Sequence, residues 1–358
     1  MTQALRGTFI GNFASLAQSG AQRLSVLRSM GVIMNGVDTT ALPPSNPVSA
    51  RARRLLGLDP ASQEQVEAYN RLVVRATEQD PGDFVWLEWP RLMEAVTLHR
   101  LKERWPNCQL VCFQDDNPFG TRRFESASWE RFIANIPLYD VHLVKRPSDI
   151  VEIRARGAKR VELFMHGVFE PLFHPAPTPW PLRWPVSFVG TPHDHRVTYI
   201  AQLLRRGVPV HVFGGKWQRT LVRWRHGKHF EREQYGEDYV RVLWQSAVCL
   251  AFISSSNRDE YSMRTFEIPG CGAFFLGERT PTHLELFEEG KEAEFFGSVD
   301  ECAEKIRFYL ANEAARARIA TGGYERCRRS DYRLVRRMHD VLAVLFPARA
   351  GALRLSPT

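Results

Sequence analysis

The sequence predicts an α/β protein of two doubly wound parallel-sheet domains facing a cleft, followed by a helical tail, and three observations carry that prediction. First, the chain echoes itself: "GTFIGNF" (7–13) and the following "AQRLSVLRSMGVIMNGVD" are matched by "VSFVGTP" (186–192) and "RVTYIAQLLRRGVPVHVFGG". Each copy reads as a strand ending in Gly, an amphipathic helix, a Gly stop and a second short apolar strand, the β-α-β grammar of a parallel sheet. Second, "PAPTPWPLRWP" (175–185) puts five prolines in eleven positions between the copies, which rules out a continuous helix and marks an extended connector. Third, from Val299 to about Phe346 the strand pattern stops and only helical spacing remains, ending in "DYRLVRRMHDVLAVLF".

In order, the first half continues through the strand "DFVWLEW" (83–89), a helix over "PRLMEAVTLHRLKERW", the strand "QLVCFQDD" (109–116), then "YDVHLVKR" and "RVELFMHGV". The second continues through "EDYVRVLWQSA", the strand "VCLAFISS", a short buried helix within "YSMRTFEIPG", and the strands "AFFLGE" and "EAEFFGS". The expected division is 1–178 and 179–330, with a last helix near 331–346 completing the first domain. In open parallel sheets ligands sit beyond the carboxyl ends of the strands, so residues that follow strands are the candidates for chemistry.

Composition narrows the class. With 358 residues, 44% hydrophobic and 25% charged, the chain is globular and long enough for two full cores. No apolar run reaches the roughly 18 residues of a membrane span, and the start "MTQALRGTFIGNF" lacks a signal peptide's apolar stretch, so a cytoplasmic address is expected, with at most peripheral membrane contact. The six cysteines are expected as reduced, buried thiols, since Cys108 and Cys112 lack the second close pair of a zinc site. A formal charge of +8 concentrates in Arg316–Arg337 and in "KWQRTLVRWRHGKHFER" (216–232). No nucleic-acid motif accompanies these stretches; the second is expected as an amphipathic helix with a solvated basic face, and no nucleic-acid partner is expected.

The candidate residues follow strands. Gly11 and Gly190 end the two first strands, where a missing side chain either lets backbone approach a phosphate or sugar, or simply makes a tight turn. "FGGK" brings Gly214, Gly215 and Lys216 to the next strand end, and a lysine there contacts phosphate as a point charge or is an ordinary loop lysine. "ISSSNRDEYSMRTFE" holds Ser262 and Thr265 as possible helix caps, Arg264 beside a diphosphate at the helix start, and Glu267 as acceptor of both ribose hydroxyls. The competing reading is an Arg264–Glu267 ion pair at helical spacing. Asp115 and Asp116 either bind an acceptor, act as a base or cap a loop, and His166 is an acceptor-side contact or a surface histidine. His193 and His195 lack a third ligand at an evident spacing, so no metal is expected.

"RTFEIPGCGAFFL", "LFEEGKEAEFF" (286–296) and "VDECAEKIRFYL" (299–310), with "SFVGTPHDHR" and "VHVFGGKW", resemble the C-terminal half of group-1 glycosyltransferases, in particular the CgeB-like branch, over roughly residues 160–345. In the first domain only "QDDNPF" (114–119) and "MHGVFEPLFHP" (165–175) look similar. The resemblance implies a GT-B fold of two Rossmann-like domains and transfer of a sugar from a nucleotide sugar to an acceptor that is a glycan, a protein or a small molecule. It implies Gly190, Thr191, Gly214, Gly215, Asp259, Ser262, Thr265 and Glu267 as the donor-binding set. Asp259 takes the sugar-contacting acidic place and Glu267 the ribose-binding one, although Asp is shorter than the family's Glu and "EYSMRTF" replaces its glycine-rich phrase. Gly11, Asn12 and His166 fall on the acceptor side. A retaining reaction without metal is implied, with Lys216 and Arg264 stabilising the leaving diphosphate; Asp115 and Asp116 as catalytic groups instead suit inversion. A nucleotide-sugar epimerase and a non-catalytic binding or structural protein are the alternatives on the same frame.

Overall fold

A computed structural model describes residues 3–44, 46–120 and 126–355. The chain forms two compact units, 1–165 with 335–358, and 166–334. The first contains β1 (Arg6–Gly11), β2 (Ile33–Asp38), β3 (Phe84–Glu88), β4 (Gln109–Gln114), β5 (Val141–Val144) and β6 (Val161–Leu163), in the order β2-β1-β3-β4-β5-β6. The second contains β7 (Trp184–Val189), β8 (Val210–Phe213), β9 (Phe230–Glu231), β10 (Ser246–Ala251), β11 (Phe275–Glu278) and β12 (Glu294–Phe296), in the order β12-β11-β10-β7-β8-β9. Every pairing between these strands is parallel. Such strands are covered on both faces, which is why "FVWLE" and "SAVCLA" are apolar runs rather than alternating patterns. Both sheets reverse strand order beside their first strand, at β1/β3 and at β7/β10, and these are the points where a crevice opens at the strand ends.

The cores follow. Ile10, Val85, Leu87, Cys112 and Val144 anchor the first, and Val186, Phe188, Val248, Leu250 and Leu276 the second. All six cysteines are buried and unpaired, as expected. Among the described residues no helix is long and apolar enough to cross a membrane.

Three features differ from the sequence reading. The strand β9 was not expected, because two residues carry too little pattern. The stretch 216–232 is no amphipathic helix. It breaks into a 3-10 turn (Trp217–Arg219) and a five-residue helix (Leu221–Arg225) whose N-cap, Thr220, accepts the Arg223 N–H; Leu221 and Trp224 stand exposed. The units divide at 165/166, ahead of the proline stretch. The segment after Met165 is tied into the second unit by Val168 N–H to the Tyr332 carbonyl (2.7 Å), Leu334 N–H to the Val168 carbonyl (2.8 Å), and Phe173 packing on Tyr239. The final helix, Leu334–Leu345, does return to the first unit, where Phe346 meets Phe84 and Arg349 pairs with Asp83 at 2.6 Å.

Candidate functional site

In the second unit the segments after β7, β8 and β10 hold the predicted donor residues. Gly190 donates its N–H to the Phe213 carbonyl (2.8 Å) and accepts from the Trp217 indole N–H (2.7 Å). A Cβ on Gly214 would lie 2.1 Å from the Gly190 carbonyl oxygen. Two backbones therefore touch, and packing alone demands a glycine at 214. A Cβ on Gly215 would meet the Glu233 carboxylate at 2.5 Å. Lys216 follows in the left-handed region (φ 69°), exposed to solvent.

Two guanidinium groups converge on the end of β7. Arg264 donates its Nε–H to the Val189 carbonyl (2.7 Å), and Arg196 donates Nη1–H to the Thr191 carbonyl (3.4 Å). The Arg196 Nε is buried without a partner, and among the described residues no acceptor reaches the terminal nitrogens of Arg264. Burial, and then the neighbouring Arg264, push the Arg196 guanidinium down to about 10. Asp194, Glu278 and Asp259 oppose this from nearby. Two partly desolvated cations with donors to spare are costly alone and are relieved by an anion lying between them. The sequence reading missed Arg196. Its only signal in the sequence is an arginine opening the helix that follows Gly190 in "VGTPHDHR".

Glu267 lies almost buried in the helix Arg264–Gly270, where the Tyr239 hydroxyl donates to its Oε2 (3.0 Å). Among the described residues no donor reaches Oε1. Burial pushes this carboxyl up, with Arg264 and the Tyr239 bond opposing. The bonded partners of Arg264 and Glu267 are thus other groups. The helix has seven residues and no side-chain cap, in contrast to the expected capping by Ser262 or Thr265. Thr265 turns inward instead: it is fully buried, its Oγ1 accepts the Ser262 N–H (3.0 Å) and lies 2.8 Å from His283 Nε2. His283 Nδ1 faces the Glu278 carbonyl at 2.6 Å, so Nδ1–H donates there and Nε2 accepts from Thr265. Ser262 is half-buried, and Asp259 N–H bonds the Ser254 carbonyl.

Glu278, at the end of β11, joins the loops. Its Oε1 meets His195 Nε2 at 2.6 Å, its Oε2 accepts the Ile253 N–H at 2.7 Å, and the Ser254 hydroxyl donates to Asp194 at 2.8 Å. The hydrogen bond that the ring donates to Glu278 holds the His195 imidazole above its usual 6.5. A raised value means that this pair's stabilisation is full below pH 6.5 and is lost as pH rises through the raised value. His195→Gln should therefore flatten the fall of melting temperature above pH 6.5; an unchanged slope refutes the assignment.

The predicted first-unit residues are dispersed. Gly11 packs against Glu88, which a Cβ there would meet at 2.7 Å. Glu88 in turn takes Arg23 through both oxygens (2.7 and 2.5 Å) and the Trp86 indole N–H (2.7 Å). Asn12 lines a cavity of about 520 Å³ beside them. Asp115 and Asp116 follow β4 and are not in that lining, and Gln114 Nε2–H donates to the Asp116 carbonyl (3.2 Å). His166 belongs to the second unit, buried with its ring 5.9 Å from Tyr261, and not to the first as expected.

Residues 196–343, about two fifths of the chain, match a protein-family profile described as "Glycosyl transferase-like". No curated protein matches the sequence. Several solved structures share the fold. A sucrose-phosphate synthase from Thermosynechococcus elongatus superposes with a TM-score of 0.69 at 14% identity, over 96% of this chain and 100% of that one. Anabaena HepE in complex with UDP-glucose gives 0.64 at 12% identity, over 95% and 99%. A Listeria monocytogenes protein assigned as a UDP-N-acetylglucosamine 2-epimerase gives 0.51 at 11% identity, over 97% and 98%. Residues 196–343 accordingly resemble a glycosyl transferase-like domain, within a chain that has the two-domain GT-B fold.

Proposed function

We propose that the protein is a glycosyltransferase that moves a sugar from a nucleoside diphosphate sugar, held by the second unit, to an acceptor hydroxyl. The observation that carries this reading is the Arg196–Arg264 pair at the β7/β10 crevice, with donors left over for a diphosphate. Glu267 then offers its open oxygen to the ribose hydroxyls, Asp259 faces the sugar, and Lys216 adds a mobile cation. In the transfer the bond from the sugar's anomeric carbon to the diphosphate oxygen breaks and one to the acceptor oxygen forms. The nucleoside diphosphate leaves with the electron pair, and in a retaining reaction its phosphate takes the acceptor proton. The cations stabilise negative charge that develops on the leaving group, the type of interaction that supplies the largest catalytic effect, and they do so without metal. Asp115 and Asp116 stand as the acceptor-side carboxylates. HepE's structure with UDP-glucose supports a donor of this class.

Calorimetry of the whole chain in EDTA with UDP, GDP, dTDP and CDP tests the reading. One nucleotide should bind without metal, and Glu267→Gln should weaken it about ten- to a hundredfold, the worth of a charge-assisted hydrogen bond. Binding restored only by manganese, or equal affinity in Glu267→Gln, overturns the metal-free site. The fold shared with the Listeria protein keeps an epimerase as the second reading. An altered sugar nucleotide formed without acceptor would select it.

A further inference from the structure

The cavity of the first unit opens at the strand switch of its own sheet, between the turn after β1 and the turn after β3. Its volume, about 520 Å³, is that of a small-molecule site. Three features in its lining are positive. The helix Ser19–Ser29 begins there with Gln18, Ser19 and Gly20 in the wall, and it has neither a side-chain cap nor an acidic residue in its first turn. Arg54 and Arg91 line the cavity as well, and among the described residues neither guanidinium is paired with a carboxylate; Arg91 lies over the Trp129 ring at 4.9 Å. Among the described residues the one carboxylate in the lining, Glu88, is already neutralised by its buried bidentate bond to Arg23. The local field is therefore net positive where backbone donors point outward.

The remaining wall is apolar and held in place. Leu42, Leu92 and Trp89 face the space, and Trp89 takes a left-handed φ of 48°, a strained conformation for so large a residue. The Pro60–Ala61 wall is pinned by Arg53 Nε–H to the Asp59 carbonyl (2.6 Å) and by Arg131 to the Asp59 carboxylate (3.0 Å). Tyr69 lines the cavity too, with its hydroxyl buried, without a hydrogen-bond partner among the described residues, and within the influence of Glu88. Strain and an orphaned hydroxyl gathered around a preformed, cationic space mark a binding site rather than a packing fault.

We infer that this cavity binds the acceptor, and that the acceptor is a small organic anion, a carboxylate or phosphate monoester on a compact body with an apolar face. Only the word acceptor rests on the transfer reading above; the anion site stands on the cavity itself. The anionic group lies at the start of the Ser19–Ser29 helix between Arg54 and Arg91, and the apolar face lies on Trp89 and Leu92.

The test uses the whole chain and matched probes: benzoate and phenyl phosphate against benzamide and benzyl alcohol, and glucose 6-phosphate against glucose, with binding followed by ligand-observed NMR. At least one anion should bind about tenfold tighter than its neutral counterpart, as charge-assisted bonds require. Arg54→Gln and Arg91→Gln should each cost about that factor for the anion and nothing for the neutral probe. Arg54 is exposed, so its variant keeps the fold and decides the matter should Arg91→Gln not fold. Equal binding of neutral probes, no binding of any anion, or unchanged affinity in Arg54→Gln overturns the site. UDP displacing the anion, with UDP affinity itself falling in Arg54→Gln, assigns the charge to a donor diphosphate and overturns the acceptor role. Anion binding in a protein that binds no nucleoside diphosphate keeps the site and removes the transferase reading, so the two failures are distinguishable.

Discussion

Arg264→Ala should lower kcat by about a hundred- to a thousandfold, the range seen when one preorganised donor to developing negative charge is removed, while nucleotide affinity falls less. On the proposed transfer, its guanidinium, anchored through Nε on the Val189 carbonyl, keeps its terminal donors for the group that gains charge as the sugar leaves. Arg196 sits beside it under different terms. It is partly desolvated, repelled by Arg264, and carries a buried donor without a partner among the described residues. Replacing a poorly compensated buried charge by an apolar group of similar shape is often neutral or stabilising. Arg196→Met should therefore leave the ligand-free protein as stable as wild type or more so, and yet lose the rise in melting temperature expected from the proposed nucleoside diphosphate ligand; at about 100 times its dissociation constant a ligand adds about 2.7 kcal/mol. Melting curves with and without nucleotide, set beside steady-state kinetics of Arg264→Ala, check both. A destabilised Arg196→Met that still responds to nucleotide would make Arg196 a structural residue, and equal losses of kcat and affinity in Arg264→Ala would make Arg264 a binding group only.

The second large effect is acid instability with one cause in each unit. His142, on β5, is fully buried with Nε2 at 2.8 Å from the Ile136 carbonyl, and burial pushes it from 6.5 down to about 4. Burial does the same to His283, also to about 4, against its bond to the Glu278 carbonyl. A depressed value means that each neutral ring stabilises the fold above pH 6.5, and that this contribution disappears as pH falls towards 4. At about 1.4 kcal/mol per pH unit, each histidine withdraws on the order of 3 kcal/mol over that window, a large part of the roughly 5 to 15 kcal/mol that holds a domain. Urea unfolding at pH 7.5 and pH 5 should show wild type losing several kcal/mol. His142→Asn and His283→Asn should start lower at pH 7.5 and lose less on acidification. Equal losses in all three proteins would place the acid sensitivity elsewhere. His195 works in the opposite direction, so the stability optimum lies where the two trends cross.

The legible part of the site was the part written in local order. "RTFE" after an apolar strand put Arg264 and Glu267 at a strand end, and there they are, in a short helix after β10. Thr265 in the same phrase is expected as a helix cap or donor contact, and it is fully buried against His283. Eighteen residues of chain separate that pair, and no local pattern announces which face of a seven-residue helix will meet them. Arg196 was illegible for the same reason. Its significance is the second guanidinium beside it, supplied from far along the chain by a parallel crossover.

The sequence by itself determined the architecture: two β-α-β systems, the strands at "GTFIG", "FVWLE", "QLVCFQ", "VSFV", "VHVF", "VCLA" and "FLGE", and a last helix that returns to the first unit. Apolar runs, glycine stops and helical spacing depend on neighbours a few residues apart, and physical chemistry at that range has few solutions. Tertiary structure alone decided what each strand end faces. It set Gly214 against the Gly190 carbonyl, pinned the 166–174 segment onto the second unit, paired Arg23 with Glu88 across 65 residues, and, among the described residues, left Arg54 and Arg91 without carboxylates around one cavity. These are long-range pairings whose energies depend on distance and desolvation rather than on residue type, and neither quantity exists until the sheets have closed.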